Sequence, residues 1–264
     1  LVQLPGCGGA LIDPRVVLTA AHCKQLAVGK EVYVGCYEGS FNNGFTCYTD
    51  VGGAQTAKIA DFIRDPDYRT KPSGVPADRD FALVFLDRDV FVDTPRELIL
   101  NVDDYWPEDG TELLHSGFGV IDPDGERPDV LQKAVYPVVD NESCWLDWGY
   151  DKSDITENSM CAFSFPNGPQ TCKGDSGGPF VVRHADGVDE HVGVAKRVQR
   201  SWRGGAGDGH DHRTLDVLAQ QPQVLRAHRL RVQSGRAGGI HDQSAVGGQQ
   251  IESCRGSTAS RSEE

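Results

Sequence analysis

The sequence predicts an all-β fold. Short apolar or alternating runs recur through residues 1–195, turn-forming residues cluster between them, and no stretch of useful length there shows a helical period. In chain order the runs are Val16-Val17-Leu18, Glu31-Val32-Tyr33-Val34, Phe81-Ala82-Leu83-Val84-Phe85-Leu86, Leu113-Leu114, Val135-Tyr136-Pro137-Val138-Val139, Pro179-Phe180-Val181-Val182 and Val192-Gly193-Val194. Between them stand Asn42-Asn43-Gly44 and Pro123-Asp124-Gly125, which favour tight turns. Many short strands at this spacing suit a sandwich or a barrel.

The bulk composition narrows the class. With 264 residues and 38% hydrophobic content, the chain can build one large domain or two small ones around a real core. Eight cysteines against a single methionine point to disulfides, and so to a secreted, extracellular protein. No Cys-x-x-Cys pair occurs, which argues against a structural zinc; neither a metal nor a cofactor is expected. No run approaches the ~20 apolar residues of a membrane span. The opening Leu1-Val2-Gln3-Leu4-Pro5 lacks the basic segment and apolar run of a signal peptide, so the chain is expected to begin inside a longer protein.

Charge is uneven along the chain. The net charge is -13, but residues 1–195 hold 15 Lys plus Arg against 32 Asp plus Glu, while residues 196–264 hold 11 against 7. An acidic body repels nucleic-acid phosphates, so no nucleic-acid partner is expected. All ten Phe and all seven Tyr precede residue 196, and after Lys196 every Lys or Arg position is Arg. The sequence therefore divides into a domain over 1–195 and an atypical tail over 196–264. The tail is expected to be largely disordered, apart from a short helix around Thr214–Leu230, because it offers too little apolar surface to offset its ordering entropy. Its composition is what a shifted reading frame or mis-joined exon near residue 195 would produce.

Three segments carry chemistry. In Gly174-Asp175-Ser176-Gly177-Gly178-Pro179, a serine hydroxyl sits in a glycine-rich bend that can aim two backbone N–H groups at one point. A serine needs such donors, and a base, to act as a nucleophile. In Leu18-Thr19-Ala20-Ala21-His22-Cys23, a histidine follows an apolar strand, and a Cys7–Cys23 bridge would pin its loop with about 3 kcal/mol in the chain-entropy model. In Asp80-Phe81-Ala82-Leu83-Val84, a carboxylate enters an apolar strand, which is costly unless it is paired, as by an imidazole N–H. Asp78 is the rival; Asp80 is preferred because it directly precedes the apolar run.

In this order the segments resemble the trypsin/chymotrypsin family over residues 1 to about 195, including Gly117-Phe118-Gly119 where the family usually has Gly-Trp-Gly. The resemblance implies two six-stranded antiparallel barrels with the active site between them, the second barrel incomplete. It implies a secreted serine endopeptidase acting on protein or peptide substrates, open to protein inhibitors. Ser176 would be the nucleophile, His22 the general base and Asp80 its orienting carboxylate, with the N–H groups of Gly174 and Ser176 as the oxyanion hole. The alternative is an impaired homologue that binds protein partners through the same cleft. Cys7–Cys23 and Cys144–Cys161 match family bridges. Cys36 and Cys47 flank a Gly/Asn-rich loop and are expected to pair with each other. Cys172 has only Cys254 left, 82 residues on, and that pairing stays open. The specificity-pocket position falls on Gln170, whose neutral side chain does not support strong preference for Lys or Arg. The segment after Val194 departs from the family's Ser-Trp-Gly wall. The chain also begins downstream of the family's activation terminus, so Asp175 is expected to lack its ionic partner and the oxyanion loop to collapse. Asn141-Glu142-Ser143 is a candidate glycan acceptor.

Overall fold

The computed structural model describes residues 1–42, 44–50, 53–70, 76–91, 98–100, 107–122, 124–146, 155–156, 158–162, 171–199 and 214–219. Over these the chain is almost entirely strand, as the sequence predicts. The first half supplies β1 (Val2–Leu4), β2 (Cys7–Asp13), β3 (Val16–Thr19), β4 (Glu31–Val34), β5 (Gly39–Ser40), β6 (Thr46–Cys47), β7 (Gln55–Arg64), β8 (Arg69–Thr70), β9 (Pro76–Asp78) and β10 (Ala82–Leu86). The second supplies β11 (Leu98–Leu100), β12 (Glu112–Gly117), β13 (Gln132–Val139), α1 (Asn141–Leu146), β14 (Ser159–Ala162), β15 (Pro179–Arg183), β16 (Asp189–Gln199) and β17 (Thr214–Ala219).

Strands β1-β2-β3-β10-β7-β4 close into a six-stranded barrel. Its interior is filled by Val2, Leu4, Val17, Val32, Val34, Ile59, Val84 and Leu86, all buried. Alternation explains the filling: Val32 and Val34 of β4 point inward while Glu31 and Tyr33 do not. The second sheet runs β11-β16-β15-β12-β13-β14-β17 and curls until β17 pairs with β16 as well as β14. Leu113, Tyr136, Val138, Met160, Phe180 and Val192 form its core. Val16, Leu18, Phe81 and Leu83 of the barrel side pack on Val194 of β16, which joins the two halves.

Two readings change here. Thr214–Ala219, expected as part of a short helix, is a strand: it alternates Thr, Asp and Leu with Leu, Val and Ala, and it finds open edges on both β14 and β16. The strand β16 runs through residue 195 to Gln199, so the expected domain boundary falls inside it. Of the segment expected to be a poorly ordered tail, residues 196–199 and 214–219 are described, and both stretches are strand. β7, the second-longest strand, went unread because its mixed exposure blurs the alternation.

The three expected disulfides are present: Cys7–Cys23, Cys36–Cys47 and Cys144–Cys161. Cys172 is also disulfide-bonded, to a partner outside the described residues. The Cys36–Cys47 hairpin has a purpose in packing. Phe41 and Phe45 from it stack at 4.9 Å from each other, and Phe45 lies 4.9 Å from Phe118, which is fully buried between the two halves. Asp140 caps α1, accepting the Ser143 N–H at 2.9 Å and the Ser143 hydroxyl at 2.6 Å, bonds that hold its carboxyl below the usual range. Asn141 Nδ2, the atom a glycan would occupy, instead donates to the Ser159 carbonyl at 2.7 Å.

Candidate active site

Strand register brings the first two residues together. β3 and β10 are antiparallel neighbours with Thr19 opposite Ala82, so the chain leaving β3 meets the chain entering β10. His22 lies just past the one and Asp80 just before the other. The Asp80 carboxylate accepts the His22 backbone N–H at 2.8 Å and the His22 ring Nδ1–H at 2.6 Å. A carboxylate can only accept, so the ring carries its proton on Nδ1 and leaves the Nε2 lone pair available as a base. Asp80 is fully buried while the His22 side chain stays 21% exposed. The pair is thus dry on the aspartate side and open on the other. Arg64 steadies the loop by donating from Nε to the Ala21 carbonyl at 2.8 Å. Burial and the Asp80 charge together push the Tyr68 phenol up to about 12, opposed only by Arg64.

Asp78, the rival, faces elsewhere. Arg79 between the two carboxylates has φ = 51°, a left-handed conformation costly for a residue with a Cβ, and the resulting bend separates their directions. Asp78 pairs with Arg69 and accepts the Thr156 hydroxyl at 2.7 Å and Asn158 Nδ2 at 3.2 Å. Desolvation works against its charge, but those bonds outweigh it and hold its carboxyl below the ordinary value.

Ser176 lies in the loop before β15. A cleft of about 380 Å³ is lined by both His22 and Ser176, with Lys173, Gly174 and the Pro5–Cys7 segment around them. The loop is fastened on two sides. Gly8 of β2 donates to the Ser176 carbonyl at 2.8 Å, and Thr19 Oγ1 donates to the Gly8 carbonyl at 2.8 Å. Gly177 donates to the Ala195 carbonyl and Ala195 to the Gly178 carbonyl, both at 2.8 Å, which ties the loop to β16. Gly174 has φ = 110°, which L side chains rarely adopt, and this is where the sequence placed the bend. Among the described residues neither the Gly174 nor the Ser176 N–H has a hydrogen-bond partner.

Asp175, expected to lack its ionic partner, is held in this structure by backbone N–H groups. The buried Asp175 carboxylate accepts the Gly119 N–H and the Cys172 N–H, each at 2.8 Å. Gly119 is what allows this approach, since a Cβ there would run into the carboxylate. Backbone donors substitute for a counter-charge. Sequence reading missed His115, which lies beside Asp175; a single histidine in a strand gives no signal of its own. Gln170 lies outside the described residues. Sulfur and nitrogen atoms of Cys7, His22 and Cys23 cluster within 4.8 Å, but both sulfurs are committed to the disulfide.

A closed six-stranded barrel beside a second curled sheet, antiparallel except where β11 pairs with β16, with the described helix content reduced to α1, is the chymotrypsin-like fold. A family model, Trypsin, matches residues 2–210, and the chain belongs to the trypsin family. It is similar to a trypsin of Simulium vittatum, 32% identical over 179 residues covering 67% of this chain and 66% of that protein. Trypsin 5G1 of Aedes aegypti is 32% identical over 180 residues, 66% of this chain and 60% of that protein. A glandular kallikrein of Sus scrofa is 32% identical over 185 residues, 66% of this chain and 70% of that protein. The chain spans somewhat less than two thirds of the length of the two insect trypsins. Among the described residues no helix is long and apolar enough to cross a membrane.

Proposed function

We propose that this chain carries the catalytic site of a secreted serine endopeptidase that cleaves protein or peptide substrates through an acyl-enzyme. Ser176 attacks the scissile carbonyl. His22 takes the hydroxyl proton on Nε2 and returns it to the leaving amine. Asp80 holds the tautomer and stabilises the imidazolium, and the N–H groups of Gly174 and Ser176 receive the oxyanion. The observation that carries this reading is the doubly bonded His22–Asp80 pair opening onto the cleft that Ser176 also lines. No cofactor enters the mechanism. A neighbouring cavity of about 400 Å³ shares Pro5, Gly6 and Gln25 with the cleft and adds Phe41 and Phe45, a surface suited to an apolar substrate side chain. A neutral Gln170 offers no counter-charge to Lys or Arg, so cleavage after basic residues is not favoured. The disulfides and the family support an extracellular location.

The test is reaction of the chain with a fluorophosphonate, with Ser176→Ala as control. Labelling of the wild type and none of the variant is expected. Equal labelling of both would reject Ser176 as the activated nucleophile, and no labelling of the wild type would favour the binding homologue.

A further inference from the structure

His115 of β12 is almost fully buried, at 1% exposure, beneath the nucleophile loop. Its Nδ1 lies 3.0 Å from the Pro179 carbonyl. A carbonyl only accepts, so Nδ1 carries a proton and donates it. The ring stacks on Phe180 at 4.6 Å and meets the edge of Tyr136 at 6.5 Å. Hydrogen bond and stacking together fix its plane. Its other nitrogen, Nε2, points at Asp175 Oδ1 from 4.0 Å and has no hydrogen-bond partner among the described residues. Gly178 lies against the same ring: an added Cβ would come within 2.8 Å of His115 Cε1. One side chain therefore touches the residue before Ser176, the second residue after it and the third.

We propose that His115 is a positioning residue for the nucleophile loop: anchored on Pro179, it walls in the Asp175 carboxylate and so sets the directions of the Gly174 and Ser176 N–H groups. The inference rests on Ser176 being the nucleophile. Burial favours the neutral ring, while Asp175 and the Pro179 bond favour the charged one. In either state the ring bounds the carboxylate on that side, and with a proton on Nε2 it attracts Asp175 by charge across 4.0 Å. Arg127 is the other group facing this carboxylate; it packs against Gly174, donates to the Phe118 carbonyl at 3.0 Å and leans on the Phe41 ring. His115 is singled out because its side chain meets residues on both flanks of Ser176.

The test compares wild type with His115→Leu and His115→Gln, with folding checked by circular dichroism and thermal melting. His115→Leu is expected to slow fluorophosphonate labelling by about tenfold to a hundredfold with little change in the probe's saturation constant, because the loop is misplaced rather than the cleft blocked. His115→Gln, whose amide can still reach Asp175, is expected to recover to within about threefold. In an Asp175→Asn background the Leu substitution is expected to cost little more. Labelling of His115→Leu at the wild-type rate, or an undiminished effect in the Asp175→Asn background, would overturn the proposal. Amide NMR keeps it decidable apart from catalysis. If the wild type fails to label, the endopeptidase reading falls, yet shifts of the Gly174 and Ser176 amides in His115→Leu, with Thr19–Cys23 unmoved, still support the positioning role. Unmoved Gly174 and Ser176 amides would refute it.

Discussion

His22 and Asp80 sit at the ends of β3 and β10, two strands of the first barrel that hydrogen-bond to each other, whereas Ser176 sits in a loop three residues ahead of β15 in the second sheet. In the barrel, one pairing register places the His22–Asp80 pair, and the Cys7–Cys23 bridge and the Arg64 bond only steady it. In the second half Ser176 is placed by a positive-φ glycine, by borrowed bonds to Gly8 and Ala195, and by a buried carboxylate propped on backbone donors. The difference teaches where each share of the site is vulnerable. A register is a property of many residues at once, while a propped loop depends on a few contacts.

That contrast can be broken from the loop side first. Gly119→Ala puts a methyl into the Asp175 carboxylate and is expected to reduce fluorophosphonate labelling by on the order of a hundredfold, with the fold intact by circular dichroism. Among the described glycines of the barrel, none would carry a Cβ into His22 or Asp80.

A smaller effect separates the halves by pH. His191 of β16 is buried, and burial pushes its pKa down to about 4. The unfolded chain then binds a proton below about pH 6.5 that the folded chain refuses, so stability is full above that pH and falls as pH drops through about 4. The loss from this residue is about 3 kcal/mol, and urea melts at pH 7 and pH 4 should show it shrink in His191→Phe. An unchanged acid sensitivity in that variant would remove His191 from the explanation.

The smallest expected effect lies at the seam. Thr19→Val removes the hydroxyl that holds the Gly8 carbonyl beside the nucleophile loop, and should cost about 1 kcal/mol in a urea melt.

Legibility in the sequence followed the same division. Glu31–Val34 reads as a strand and is β4 to the residue, and the run beginning at Phe81 falls one residue before β10. Alternation and apolar runs report strands that line a core. They do not report two-residue pairings such as β5 with β6, which exist only because the Cys36–Cys47 bridge folds the hairpin back. They also misjudge Thr214–Ala219, where available edges decide the conformation. His22, Asp80 and Ser176 stand out in the sequence because each sits in a distinctive local run. His115 was not, because its meaning comes from Asp175 and Pro179, 60 and 64 residues away. The support for Asp175 was misjudged for a related reason: its partners are backbone N–H groups, which carry no sequence letter.

The choice between neighbouring carboxylates tests the register argument most directly. Rates of fluorophosphonate labelling are to be measured for Asp80→Asn and Asp78→Asn side by side. Asp80→Asn should fall by about 10⁴-fold, because an amide no longer selects the Nδ1–H tautomer of His22. Asp78→Asn should stay within about threefold of wild type, since its carboxylate serves Arg69, Thr156 and Asn158 instead. Equal losses in the two variants, or the larger loss at Asp78, would contradict the placement of His22 and Asp80 by the β3–β10 register.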